Sequence, residues 1–406
     1  MNTALPHDLD IDFKQTEQAR KSFISDLRAH VLSTMANGMR RHYEERVAPA
    51  VTRREGAAPS DGQGIHKALR GDKVFGFYSA VRTTAQEMVF DSIIAAVERD
   101  REKLQAQAAA LAADGSVGGT LTLDPSLQLP RNVTEIDVHL TPGGYYSEHG
   151  EDDVTAGAIY DNALPVFSFG QFGKNLDDIG QTMSNYVRLK YPGFEPKRIL
   201  DCGCTVGHNT LPWAQSFPEA EVTGIDVAPG VLRYAHARAQ SYGIAAHFRQ
   251  MNATALDYPD NSFDVVFSSM FLHELPLKDI RAYLREAYRV LRPGGLLWTM
   301  ELPPNASMGA WEGFYLDWDS FYNNEPFYKT FRDQQPWALV AEAGFGEGAF
   351  LEATLPRYTF VGEEAFAADI GAPSRFDSLT GRMDPKGTRW YGFGAFKAAD
   401  DNEVTA

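Results

Sequence analysis

The stretch Arg198–Gly230, RILDCGCTVGHNTLPWAQSFPEAEVTGIDVAPG, decides the fold. Residues 198–202 are a short apolar run between Pro196 and Gly203, the pattern of a parallel strand covered on both faces. Gly203 and Gly207 bracket a tight turn, where a missing Cβ lets the backbone approach a ligand and take up positive φ. His208-Asn209-Thr210 then opens a helix whose free N–H groups favour a polar or anionic ligand group. Residues 221–226 form the next strand, which puts Asp226 at its carboxyl end, 19 residues after Gly207. An acid at that distance is placed to accept the ribose hydroxyls of an adenosine.

Two cofactor classes use such a unit. A nicotinamide fingerprint needs G-x-G-x-x-G, and this turn is Gly203-Cys204-Thr205-Val206-Gly207, without the third glycine. Residues 200–207, LDCGCTVG, resemble the motif L-D-x-G-C-G-x-G of class I S-adenosylmethionine (SAM) methyltransferases, with Thr205 where glycine is commonest. Ser262–Ser269 is similar to that family's F-D-x-V strand, and Leu291-Arg292-Pro293-Gly294-Gly295 to its L-R-P-G-G turn. The resemblance covers roughly Lys197 to Lys397. It implies a doubly wound, Rossmann-like α/β domain with a seven-stranded, mostly parallel sheet, and SAM as cofactor. The residues it places at SAM are Asp201, Gly203, Cys204, Gly207, Asp226, Val227, Asn252, Ala253 and Ser269. Asn252-Ala253 stands where the family usually carries Asp-Ala against the adenine.

Composition narrows the partners. The 406 residues carry 38 Lys and Arg against 54 Asp and Glu, a net charge of −16, which argues against a nucleic-acid surface and for a small or uncharged substrate. Hydrophobic residues at 44% suffice for a packed core. Cys202 and Cys204 are too close for an ordinary disulfide framework and lack further metal-ligand partners, so a reducing, cytoplasmic setting and no metal are expected. No run approaches a membrane span.

Four regions follow. Residues 1–119 read as a mainly helical extension, with helices from about Asp10 to Arg54 and from Lys73 to Ala113, serving as packing, as a lid or as a homodimer interface. Residues 120–196 connect it to the methyltransferase-like region, 197–398, and 399–406 form a polar tail. Tyr145, Tyr146 and Tyr160 in the connector are candidate lid residues. Beyond the fifth strand of the domain an aromatic, acid-interleaved stretch carries Trp311, Tyr315, Trp318 and Tyr322, the composition of an apolar substrate wall or of a buttress for the extension. Arg357, Tyr358 and Arg375, in the long connection before the last strand, are further substrate candidates.

Methyl transfer is an in-line displacement that needs alignment, water exclusion and, for an acceptor that must lose a proton, a base. His273 leads by chain position, followed by Glu274 and by Glu301, which orients substrate if it is not a base. The expected activity is therefore SAM-dependent methylation of a small organic acceptor, aromatic or apolar and hydroxylated, with oxygen slightly preferred over carbon or nitrogen. The alternatives are a protein substrate, or a non-catalytic SAM-binding scaffold assembled through the extension.

Overall fold

The computed structural model describes residues 7–371 and 389–399. Among them eight strands form one sheet in the order β1-β4-β3-β2-β5-β6-β8-β7. They are β1 (Thr120–Thr122), β2 (Arg198–Cys202), β3 (Glu221–Asp226), β4 (His247–Gln250), β5 (Phe263–Ser269), β6 (Leu291–Glu301), β7 (Phe350–Pro356) and β8 (Arg389–Phe396). All pairings from β1 to β6 are parallel, and β8 runs antiparallel to both β6 and β7. This is the expected doubly wound sheet with one strand more than the expected seven. The extra edge strand, β1, pairs with β4 from Thr120↔His247 to Thr122↔Arg249. Gly119 admits it: at φ +82°, a Cβ there would fall 2.2 Å from the Ala246 carbonyl oxygen.

Alternation along the strands sends neighbouring residues to opposite faces. Leu200, Val266 and Leu297 join the helix Leu277–Val290 through Ile280, Tyr283 and Leu284. Ile199, Val265 and Trp298 join the helix Asp178–Lys190 through Ile179, Met183 and Val187. The order reverses at β2, with β3 and β4 on one side and β5 and β6 on the other. That opens the crevice at the strands' carboxyl ends where doubly wound sheets hold ligands.

The extension is helical, but it is not two straight rods. Its first run, Gln15–Glu55, passes through π-helical turns at Val31–Met35 and Tyr43–Val47 and ends at Gly56, which takes φ +85°. The second, expected as one helix from Lys73 to Ala113, is three: Lys73–Asp91, Ile94–Arg99 and Arg101–Asp114. The break at Ser92 is marked by its hydroxyl donating back to the Val89 carbonyl (2.7 Å), a local bond that competes with the helix ladder. Leu9, Ile24, Val89, Ile93 and Val97 share one core with Val206, Ala228, Val231 and Tyr234 of the sheet domain. No helix of the described residues is long and apolar enough to cross a membrane. Arg375 lies outside the described residues.

Candidate functional site

The turn after β2 is tied down by the next strand, since the amides of Gly203 and Cys204 both donate to the Ile225 carbonyl (2.9 and 3.0 Å). Gly203 sits at φ +82°, and a Cβ there would lie 2.4 Å from the Phe271 ring. Thr205, in place of the commoner glycine, accepts φ +45°. It is held there by its amide donating to Asp226 Oδ2 (3.1 Å), while Ala228 N donates to Oδ1 (3.0 Å). Burial raises the Asp226 carboxyl above the ordinary range, and these backbone donors oppose the shift. Asp201 is more deeply buried and accepts from Thr210 Oγ1 (2.6 Å). Burial, with Asp226 nearby, pushes it up to about 7.

The other residues expected at the cofactor cluster around this turn. The Cys204 thiol packs on Gly224 and is buried and free, as is Cys202. The Val227 carbonyl accepts from Gln250 Nε2 (2.9 Å). Ser269 Oγ accepts from Asn209 Nδ2 (3.1 Å), linking the end of β5 to the turn. Asn252 accepts at Oδ1 from the Thr254 amide and hydroxyl (2.9 and 2.8 Å), and Ala253 is buried. Asn252 borders a groove of about 490 Å³ that Asn132, Leu275 and Phe327 also line. A close-approach turn, a half-buried acid at the end of β3 and a groove beside Asn252 fit an adenosyl group, and Asp226 is the residue that would hold its ribose.

A second cluster lies past β5 and β6. Glu301, at the end of β6, accepts from the amides of Phe271 and Leu272 at Oε1 (2.8 and 2.6 Å) and contacts His273 Nδ1 at Oε2 (2.7 Å). Burial lowers the His273 pKa, but the Glu301 carboxylate overrides it and raises it to about 9. His273 Nε2 lies 3.6 Å from Glu274 Oε1, and the Tyr328 ring packs edge-on against the imidazole.

The connector closes this cluster with a residue that sequence reasoning missed. His139, left-handed at φ +57°, sets Nε2 3.3 Å from Glu274 Oε1 and 3.4 Å from Glu325 Oε1. Its Nδ1 meets the Tyr145 hydroxyl at 2.8 Å. Burial opposes its charge, yet Tyr145 and Glu325 hold its pKa well above the usual value. Asn323 donates to Glu325, and Arg82, paired with Asp319 (2.6 Å), reaches Asn323 at 3.3 Å. Arg28 donates to Gln86, whose Nε2 donates to the His139 carbonyl (2.8 Å). His139 lies in a segment without clear periodicity, and no sequence signal marks it; Glu325 was visible only as one acid among several.

The three tyrosines separate. Tyr145 packs edge-on to Tyr160, and Tyr160 lies against His208, the residue that follows the glycine turn. These two therefore span both clusters, whereas Tyr146 donates to the Thr134 carbonyl (3.1 Å). The aromatic helix Ala310–Phe321 packs on the extension: Trp311 stacks on Tyr43, and Trp318 stacks on Tyr78 and donates to Ser79 Oγ (3.0 Å). Tyr315 and Tyr322 flank Trp318 there. Arg357 donates to Gln171 Oε1 (3.1 Å) and Tyr358 to Glu363 (3.0 Å).

Turn, acid and crevice together define a class I SAM-dependent methyltransferase domain, with SAM as its cofactor. Residues 199–295 match the family model described as a methyltransferase domain. The demethylmenaquinone methyltransferase of Thermus thermophilus is 39% identical over 27% of this chain and 49% of its own length. The malonyl-acyl-carrier-protein O-methyltransferase of Hahella chejuensis is 39% identical over 25% of this chain and 35% of its own. The chain thus spans half or less of these two curated relatives. An O-methyltransferase family protein from Burkholderia thailandensis aligns over 61% of each chain at 14% identity, with a TM-score of 0.38.

Proposed function

We propose that this protein transfers the methyl group of SAM to a small hydroxylated acceptor bound between the carboxyl ends of β5 and β6 and the connector. The observation that carries the reading is the convergence of the two clusters. Tyr160 packs against His208, which follows the glycine turn, and against Tyr145, and Tyr145 touches His139 beside Glu274. On this reading cofactor and acceptor sites are neighbours, as an in-line displacement requires. SAM supplies the activated methyl carbon. This chain's residues hold the ribose at Asp226, exclude water with Tyr145 and Tyr160, and orient an imidazole, His273, whose Nδ1 is fixed by Glu301. That leaves His273 Nε2 as the group to take the acceptor's proton, from the neutral ring whose share grows as pH rises toward about 9.

Oxygen is the favoured atom because the His273–Glu301 dyad can take a hydroxyl proton as the oxygen attacks, whereas methylation at an electron-rich carbon releases its C–H proton only after the new bond has formed. Among relatives, the names include both an O-methyltransferase for fatty acids and the demethylmenaquinone enzymes. The test is transfer of a labelled methyl group from SAM to fractions of a metabolite extract, with product identified by mass. A labelled O-methyl product whose formation falls at least about 100-fold in His273→Gln supports the reading. Tight SAM binding with no transfer to any fraction would replace it with a non-catalytic SAM-binding role.

A further inference from the structure

Glu274, Glu301 and Glu325 bring three carboxylates into one largely buried cluster with two imidazoles, His139 and His273. Arg82 is engaged by Asp319 and reaches Glu325 only through Asn323, and Arg28 is turned to Gln86 and the Phe167 carbonyl. Three carboxylates outnumber the two imidazoles that can carry charge opposite them, and the excess calls for a further cation.

We propose that His139 Nε2, Glu274 and Glu325 form a three-ligand site for a divalent first-row cation such as Zn²⁺ or Mn²⁺, with its open position facing the methyl acceptor. The three ligand atoms lie within 4.8 Å of one another. The histidine-to-carboxylate separations, 3.3 and 3.4 Å, match the edge of about 3.3 Å that a tetrahedron has when ligands sit about 2.0–2.1 Å from Zn²⁺. The outer contacts are those of a ligand histidine. Tyr145 meets His139 at Nδ1, fixing the ring so that Nε2 faces the carboxylates, and Asn323 donates to Glu325. His273, backed by Glu301, stands 3.6 Å from the Glu274 oxygen, outside the ligand set, where its Nε2 is left for the proton of the bound acceptor. One histidine and two carboxylates leave coordination open for an acceptor oxygen, so the ligand class is an alcohol, phenol or enol. The acceptor part of this inference rests on the methyltransferase reading; the cation does not.

The full chain, without a polyhistidine tag, is stripped with a chelator and titrated by calorimetry with Zn²⁺ and separately with Mn²⁺, and retained metal is counted after dialysis. The expected result is about one equivalent bound by wild type, with affinity lowered at least roughly 10- to 100-fold in Glu325→Gln and in His139→Gln. Both variants are also titrated with S-adenosylhomocysteine, whose retained binding shows that they fold; Glu274→Gln serves if either fails. Less than about a tenth of an equivalent on wild type, or unchanged affinity in folded variants, overturns the site. Loss of S-adenosylhomocysteine binding in wild type would instead strike the methyltransferase reading and leave the metal count to judge this one.

Discussion

Glu301 accepts from two backbone amides and contacts one imidazole, so a single buried carboxylate fixes both the loop after β5 and His273. Glu301→Gln places an NH₂ where one of three donors already points. It should destabilise the fold by about 2–4 kcal/mol, measured by denaturant titration, and reduce turnover further in the protein that remains folded. A separate residue-scale effect sits behind the glycine turn, where Asp161 takes hydrogen bonds from His208, His7 and Tyr234 (2.6, 2.9 and 2.8 Å). Burial lowers the His208 pKa from 6.5 to about 4, despite Asp161. Between those values the unfolded chain binds the proton and the folded one does not, so stability falls as pH drops from about 7 to 4, by up to about 3 kcal/mol. Asp161, held well below 3.8 by its histidines against the effect of burial, adds a loss only at still lower pH. His208→Gln keeps a donor toward Asp161 without titrating, so its melting temperature should depend on pH less steeply than wild type over pH 7 to 4. Parallel slopes would contradict the assignment.

Among the elements, the β2 turn is the one proposed to hold the cofactor. Gly203→Ala would force a methyl group to within 2.4 Å of Phe271 at a positive φ, and it should abolish S-adenosylhomocysteine binding while leaving far-UV circular dichroism near wild type. The strands and this turn were legible because their signals are local: an apolar run, flanking glycines and an acid at fixed spacing. The breaks in the extension were not, because a serine hydroxyl can make the same short-range bond to a carbonyl inside an unbroken helix, so Ser92 alone does not mark an end. His139 was hidden for a different reason. Its place beside Glu274 and Glu325 depends on a left-handed turn at His139 and Leu140 and on contacts with residues 135 and 186 positions away. The aromatic stretch from Trp311 to Phe331 had the composition of a pocket wall, and its tryptophans stack on Tyr43 and Tyr78 of the extension while Tyr328 meets His273. Sequence could list those aromatics but not divide them between the two duties. Trp318, buried and hydrogen-bonded to Ser79, should cost about 3–5 kcal/mol when replaced by alanine, by denaturant titration.

At the scale of the whole molecule, the extension and the sheet domain share hydrophobic residues and a polar site. Ile24, Val89 and Val97 pack with Val206, Val231 and Tyr234, and Gln86 and Arg82 support His139 and Glu325 from behind. A chain beginning near residue 120 would expose that shared core and lose the supports of the acceptor cluster, so it should aggregate or lack transfer activity even where the sheet itself forms. Folded, fully active protein from such a truncation would show that the extension acts elsewhere. The claim on which the rest depends is that the turn and Asp226 hold an adenosyl cofactor of the SAM kind. Calorimetric titration with S-adenosylhomocysteine, beside NAD and on Asp226→Ala, tests it directly. The account predicts binding of S-adenosylhomocysteine, none of NAD, and a loss of about 1.5–3 kcal/mol in the mutant, the size of hydrogen bonds to a carboxylate. No binding of S-adenosylhomocysteine to the wild-type chain, or equal affinity in the mutant, would contradict it.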